Sequence, residues 1–215
     1  MAEIILALDY DDIRQAGEIV SGLKNDITYF KIGLQLFSRY GPRAVEMVKA
    51  EGKEVFLDLK YHDIPRTCRA ACIAAADLGC YSATIHIQAG PEALESAQKA
   101  RKNGFPRLWG VTILSSIQSG NSYAAAETAD KAGLQGLIVS GKDVADIRSA
   151  FPDMDIVVPG IRPSGYLKQD DQKRVMTPSE AVENGADFLV IGRPITEADD
   201  PVEAARAIKE EMQLS

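Results

Sequence analysis

The sequence predicts an α/β fold, a single (β/α)8 barrel of the TIM type that occupies residues 1–215 as one compact domain. Three observations carry that prediction. Short apolar runs recur eight times with helix-like stretches between them, the pattern of parallel βαβ units. No Gly-x-Gly-x-x-Gly follows the first run, where an open dinucleotide-binding sheet would carry it. No composition break marks a second domain, although 215 residues is compact against the roughly 250 typical of such barrels.

Ile4 to Leu8 is the first strand and ends at Asp9; Asp11-Asp12 then opens a helix to about Leu23. Ile27 to Phe30 is the second, ending at Lys31, and after Gly33 one helix is expected through about Ala50. Glu54 to Leu59 is the third, and Pro65 sits in the first turn of a helix reaching about Leu78. Tyr81 to Ile87 is the fourth, with His86 near its end, and Pro91 opens the next helix. Arg107 to Leu114 is the fifth, with the hydroxyls of Thr112, Ser115 and Ser116 at its end. Gly136 to Val139 is the sixth, ending in Ser140-Gly141, and Asp155 to Val158 is the seventh, ending in Pro159-Gly160-Ile161-Arg162. Asp187 to Ile191 is the eighth, ending in Gly192-Arg193-Pro194, and a last helix covers about Pro201 to Met212. The longest irregular stretch, Arg162 to Thr177, has the length of a loop that folds over a ligand as a lid.

Bulk properties narrow the function. An apolar content of 46% is ordinary for a globular protein. A net charge of −7 and a pI near 5.0 argue against a nucleic-acid surface, which needs a basic stripe. Met1-Ala2-Glu3-Ile4 runs directly into a strand without the basic and long apolar segments of a signal peptide. No apolar run approaches the roughly 20 residues that span a bilayer. The expectation is a cytoplasmic protein that binds neither membrane nor nucleic acid. Cys68, Cys72 and Cys80 contain no Cys-x-x-Cys pair and suit a reduced compartment as small core residues.

In a barrel, ligands meet the C-terminal ends of the strands. The residues that interrupt the apolar pattern there are Asp9, Lys31, Asp58, Lys60, His86, Ser115, Arg162 and Arg193, both charge signs gathered from several strands. Strands seven and eight end in Gly160 and Gly192, which let a ligand approach the backbone, and in arginines whose guanidinium forks match phosphate. Arg193 is read as a phosphate contact; Arg162 either does the same or faces solvent. Asp58 and Lys60, two apart on a strand, should share a face. Lys60 between Asp58 and Asp63 admits three readings. A Schiff-base lysine needs a depressed pKa, which two carboxylates oppose. A magnesium-like ion on Asp58 and Asp63 competes with the lysine for its position. A fixed ammonium that protonates or stabilises a carbanion fits the local charges best. At about 4 Å and an effective dielectric near 20 such a pair is worth roughly 4 kcal/mol. His62 reads as structural or partly exposed and His86 as ambiguous; neither stands in a hydrolase elbow.

Taken together, the motifs resemble those of the orotidine 5′-monophosphate decarboxylase family along almost the whole chain. The matching pieces are Ala7-Leu8-Asp9, Phe30-Lys31-Ile32-Gly33, Asp58 through Thr67, Val111-Thr112-Ile113-Leu114, Pro159-Gly160-Ile161-Arg162 and Val190-Ile191-Gly192-Arg193-Pro194. The Asp-x-Lys-x-x-Asp-Ile-Pro-x-Thr stretch is the most specific. The resemblance implies a homodimeric barrel without metal or organic cofactor that converts orotidine monophosphate to uridine monophosphate and CO2, the last step of pyrimidine nucleotide synthesis. It also implies roles. Lys60 would protonate C6 after CO2 leaves, and Asp58 would lie beside the substrate carboxylate. Asp63 would cross the dimer interface, with Thr67 at or near it as a ribose or phosphate contact. Asp9 and Lys31 would meet the ribose, Lys31 completing an alternating Lys-Asp-Lys-Asp network. Ser115 would bind the pyrimidine, where many relatives have Thr. Arg162, Gln172, Gly192 and Arg193 would bind phosphate and lid. Metal-dependent sugar-phosphate relatives, a keto-gulonate phosphate decarboxylase and a hexulose phosphate synthase, share the Asp-x-Lys-x-x-Asp core. The Asp63-Ile64-Pro65-Arg66-Thr67 and Gly192-Arg193-Pro194 endings favour the nucleotide enzyme. A non-catalytic barrel that senses a phosphorylated ligand is the remaining alternative.

Overall fold

Strands buried on both faces need apolar residues at every position, and the runs noted above pair as such strands. The computed structural model describes residues 2–112, 122–166 and 176–213. Its eight parallel strands are β1 (Glu3–Ala7), β2 (Tyr29–Gly33), β3 (Glu54–Tyr61), β4 (Ser82–His86), β5 (Arg107–Val111), β6 (Gly136–Ile138), β7 (Asp155–Pro159) and β8 (Phe188–Ile191). They lie in chain order and close into a barrel, Ile4 of β1 beside Leu189 of β8.

Helices cover the outside. They are α1 (Ile13–Leu23), α2 (Leu34–Tyr40), α3 (Pro42–Ala50), α4 (Pro65–Asp77), α5 (Pro91–Gln98), α6 (Ser122–Lys131), α7 (Val144–Ala150), α8 (Pro178–Glu183), α9 (Arg193–Thr196) and α10 (Pro201–Gln213). Local sequence sets their ends. The Asp12 carboxylate accepts from the Arg14 amide at 2.9 Å to start α1. Thr177 and Glu180 form a reciprocal capping box at α8. Asp200 accepts from the amides of Val202 and Glu203 ahead of α10.

The single helix expected from Gly33 to Ala50 is two. Pro42 has no amide proton to donate, so the ladder stops; Gly41 turns the chain at φ +55° and Pro42 becomes the first residue of α3. The third strand runs to Tyr61 rather than Leu59, with its pairing to β4 irregular between Leu57 and Tyr61. The fourth is shorter than expected, Ser82–His86, because Ile87–Ala89 coil into a 3-10 turn. The fifth is followed to Val111; the rest of its expected span lies outside the described residues, apart from Thr112. The four-residue α9 was not expected.

Period-two alternation sorts the strand residues. Ile4, Leu6, Phe30, Ile32, Val55 and Leu57 belong to the core shared with the helices. Ile5, Phe56, Trp109, Val157 and Phe188 fill the inside of the barrel, with Tyr29 and Tyr81 packed against them. The Phe56 and Trp109 rings meet edge-on at 4.7 Å. Four of these residues come from odd-numbered strands, the tiered packing of a filled barrel. Gly136 makes room for the indole: a Cβ there would sit 2.5 Å from the Asp155 carbonyl oxygen and 2.8 Å from Trp109 Cδ1. Below, the Asp155 carboxylate accepts from Trp109 Nε1 at 2.9 Å and from Arg107 Nε at 2.6 Å.

Candidate active site

Two residues further along the same strands, the aromatic tier gives way to a mixed one. Ala7, Asp58, Val111 and Pro159 from the odd strands and Lys31, Ile138 and Val190 from the even ones line a cavity of about 570 Å³ at the C-terminal mouth. Asp9, Lys60, Gly160, Arg162, Gly192 and Arg193 complete its wall. The aromatic tier is thus its floor.

Asp9, Lys31, Asp58 and Lys60 form one alternating chain of charge. Lys31 Nζ lies 2.9 Å from Asp9 Oδ1 and 4.0 Å from Asp58 Oδ2. Lys60 Nζ donates to both oxygens of Asp58 at 2.7 Å. The side chains of Lys31 and Asp58 are only 12% and 13% exposed, against 55% for Asp9. Opposite charges interleaved in a partly dry pocket hold one another in place. Asp58 and Lys60 share a face as expected, but Lys60 reaches it by a route the alternation does not predict. Its backbone is left-handed, at φ +53°. Such a conformation costs a non-glycine residue about 1–2 kcal/mol and is held only where neighbours enforce it. Gly33 leaves room for this chain, since a Cβ there would fall 2.9 Å from Lys31 Nζ.

The opposite wall is cationic and open to the backbone. Gly160 takes φ +78°, and Arg162 follows β7 with its Nη1 donating to the Ile161 carbonyl and its guanidinium 5.6 Å from the Tyr166 ring centre. The Arg162 amide donates to the Met176 carbonyl at 3.0 Å, which ties the end of β7 to the approach to α8. Gly192 caps the start of α9 and Arg193 is its first residue. Tyr10, Thr196 and Glu197 also reach this wall. Burial raises the pKa of the Tyr10 hydroxyl, against an opposing hydrogen bond with Thr196. On the β4 side, the His86 ring lies 5.2 Å from that of His62. Burial, then the neighbouring His62 and Lys60, lower the His86 pKa.

Asp9, Lys31, Asp58, Lys60, Arg162, Gly192 and Arg193 therefore converge. Asp63 and Thr67 do not line the cavity of their own chain. The Asp63 carboxylate accepts from the Ile64 amide at 2.7 Å on an exposed turn, and Thr67 lies in the first turn of α4. Ser115 and Gln172 lie outside the described residues, as does most of the expected lid. One buried polar residue against Asp58 escaped sequence reasoning. Thr84 of β4, fully buried, accepts from the Lys60 amide at 2.8 Å and donates to Asp58 Oδ1 at 3.0 Å. A threonine is a good strand former, so nothing but its polarity inside the apolar Ala83–Ile85 run marked it.

Residues 2–208 match the family model described as "Orotidine 5'-phosphate decarboxylase / HUMPS family". An orotidine 5'-phosphate decarboxylase of Trichlorobacter lovleyi is 44% identical over 229 residues, covering 98% of this chain and 95% of that protein. One of Pelobacter propionicus is 43% identical over 228 residues, with 98% and 95% covered. The crystal structure of the Lactobacillus acidophilus orotidine 5'-phosphate decarboxylase superposes with a TM-score of 0.86 at 32% identity, covering 99% of both chains. With barrel and sequence in agreement over nearly its full length, the chain belongs to the orotidine 5'-phosphate decarboxylase / HUMPS family.

Proposed function

We propose that this chain decarboxylates orotidine 5′-monophosphate to uridine 5′-monophosphate and CO2 as the last step of pyrimidine nucleotide synthesis. The observation that carries the reading is the Asp9–Lys31–Asp58–Lys60 chain, facing Arg162 and Arg193 across one cavity. The arginine wall suits the phosphate and the charge chain suits ribose and pyrimidine, with Asp9 and Lys31 toward the sugar. The substrate carboxylate would lie beside Asp58, whose like charge disfavours the bound acid. When the C6–carboxylate bond breaks, its electron pair stays on C6 and CO2 departs. The Lys60 ammonium then gives C6 a proton and recovers one from solvent. At about 4 Å and an effective dielectric near 20, that fixed charge is worth roughly 4 kcal/mol, or three powers of ten in rate if realised only in the transition state.

In this reading Asp63 and Thr67 serve the cavity of a second copy in a homodimer, Ser115 holds the pyrimidine and Gln172 meets the phosphate beneath the lid. The reaction needs no metal or organic cofactor, and the compartment is the cytoplasm. Asp63 on an exposed turn beside Ile64, which is 64% exposed, fits an interface role. The metal-dependent sugar-phosphate chemistry of the wider family is less well served. Lys60 Nζ already occupies the space between both Asp58 oxygens, and among the described residues no three His, Cys, Asp or Glu side chains gather as a metal-ligand group.

The test is product formation from orotidine monophosphate by purified protein with and without excess EDTA. Equal uridine monophosphate in both is expected. Loss with EDTA would move the chain to the metal-dependent relatives, and tight binding without product would make it a sensor.

A further inference from the structure

We propose that Thr84 is a positioning residue that sets the Asp58–Lys60 pair. The proposal rests on the decarboxylase reading for its kinetic consequence, but not for its geometry.

An amide N–H can only donate, so the Thr84 hydroxyl must accept from Lys60 N at 2.8 Å. Its own proton is then free for one acceptor, and that acceptor is Asp58 Oδ1 at 3.0 Å. One side chain thereby ties the backbone of the residue carrying the ammonium to the carboxylate that the ammonium serves. The tie falls where it is most needed. Lys60 is left-handed at φ +53°, and pairing between β3 and β4 loses its regular register between Leu57 and Tyr61. The Lys60 amide therefore finds its partner in a side chain of β4 rather than in a ladder carbonyl. Thr84 is fully buried, so no water competes for either bond. It stands behind the charge chain rather than on the cavity wall, so it acts through Asp58 and Lys60 and not by touching ligand.

The experiment compares wild type, Thr84→Val, which keeps the shape and removes the hydroxyl, and Thr84→Ser, which keeps the hydroxyl. Steady-state kinetics with orotidine monophosphate should show kcat lowered roughly 10- to 100-fold in Thr84→Val, the cost of a misplaced reacting group. KM should move by less than about threefold, because no ligand contact is lost, and Thr84→Ser should restore kcat to within about threefold of wild type. Amide hydrogen exchange gives a readout independent of turnover: the Lys60 amide should be protected in wild type and Thr84→Ser and should exchange at least about tenfold faster in Thr84→Val. If Thr84→Val does not fold, the smaller Thr84→Ala takes its place in both measurements. The proposal is overturned if the valine or alanine variant keeps kcat within about twofold, if serine loses as much as valine, or if the wild-type Lys60 amide is unprotected. A wild-type protein that fails to turn over orotidine monophosphate yet shows the expected exchange pattern would sink the decarboxylase reading and leave the positioning role standing.

Discussion

Replacing Lys60 by alanine and, separately, by glycine removes the same ammonium but leaves different backbones at φ +53°. In both variants Asp58 loses the donor at 2.7 Å and keeps the Thr84 hydroxyl, with Lys31 at 4.0 Å, so both should be less stable than wild type. The informative quantity is the difference between the two. Alanine held left-handed costs about 1–2 kcal/mol, whereas glycine adopts that region freely. Against this, glycine loses about 0.4–1 kcal/mol more chain entropy on folding. Glycine should therefore come out ahead by about 0.5–1 kcal/mol, the reverse of its usual order with alanine. For a chain of this size that is about 1–4 °C in Tm. Thermal and urea unfolding by circular dichroism would read it. An alanine variant that melts at or above the glycine variant would refute the left-handed backbone at Lys60. Turnover of orotidine monophosphate should fall by about three powers of ten or more in both variants, since the lost charge is common to them.

Other consequences are simpler to test. Gly136→Ala forces a Cβ to within 2.5 Å of the Asp155 carbonyl oxygen, so its urea midpoint should drop by an equivalent of about 1–3 kcal/mol. Gly22→Ala on the exposed face of α1, with nothing within 4 Å of the new Cβ, should gain about 0.5–1 kcal/mol in the same titration. His86 binds its proton less readily folded than unfolded, so acidification through and below about pH 6.5 should cost stability until the lower folded pKa is passed. His86→Asn should flatten that part of the Tm-against-pH curve; an unchanged slope would place its origin elsewhere. Burial pushes the Cys72 thiol up to about 11 and Cys80 up to about 12. Ellman's reagent near pH 8 should therefore find these thiols slow in native protein and fast in urea.

Sequence reading reached the barrel because each strand buried on two faces leaves an apolar run. The fifth run reached residues beyond those described, and the others ended within two residues of the observed strand end, except the second. That one was expected over Ile27 to Phe30 and is observed as Tyr29–Gly33, because Lys31 interrupts the apolar run without ending the pairing to β3. Lys31, Asp58, Lys60, Arg162 and Arg193 were legible for a related reason: a charge at the end of a buried strand is costly unless it is used. The missed features depend on geometry that residue type does not encode. The Gly41-Pro42 break carried a local signal that the longer amphipathic pattern overrode. The left-handed turn at Lys60 carried none, because lysine has no preference for it. Thr84 was hidden because a β-branched residue in a strand is unremarked until its hydroxyl is seen between an amide and a carboxylate. Asp63 was singled out by its charge beside Lys60, but its role across an interface and Thr67 entered through family resemblance, and a single chain leaves both outside the cavity it forms.

The pairing of the first strand with the last bears on how the cavity comes into being. Asp9 follows β1 and Arg193 follows β8, and these two strands lie side by side, Leu6 against Ile191. Between their appearances almost the whole polypeptide must be synthesised. Contacts so distant along the chain are slow to form, because the entropy of closing the intervening length is spent before they return any energy. Lys31, Asp58 and Lys60 stand on β2 and β3, neighbours in sequence as in the sheet, whereas Arg193 joins the cavity only when β8 pairs with β1. On the proposed reading, nucleotide binding is therefore expected only of the closed barrel.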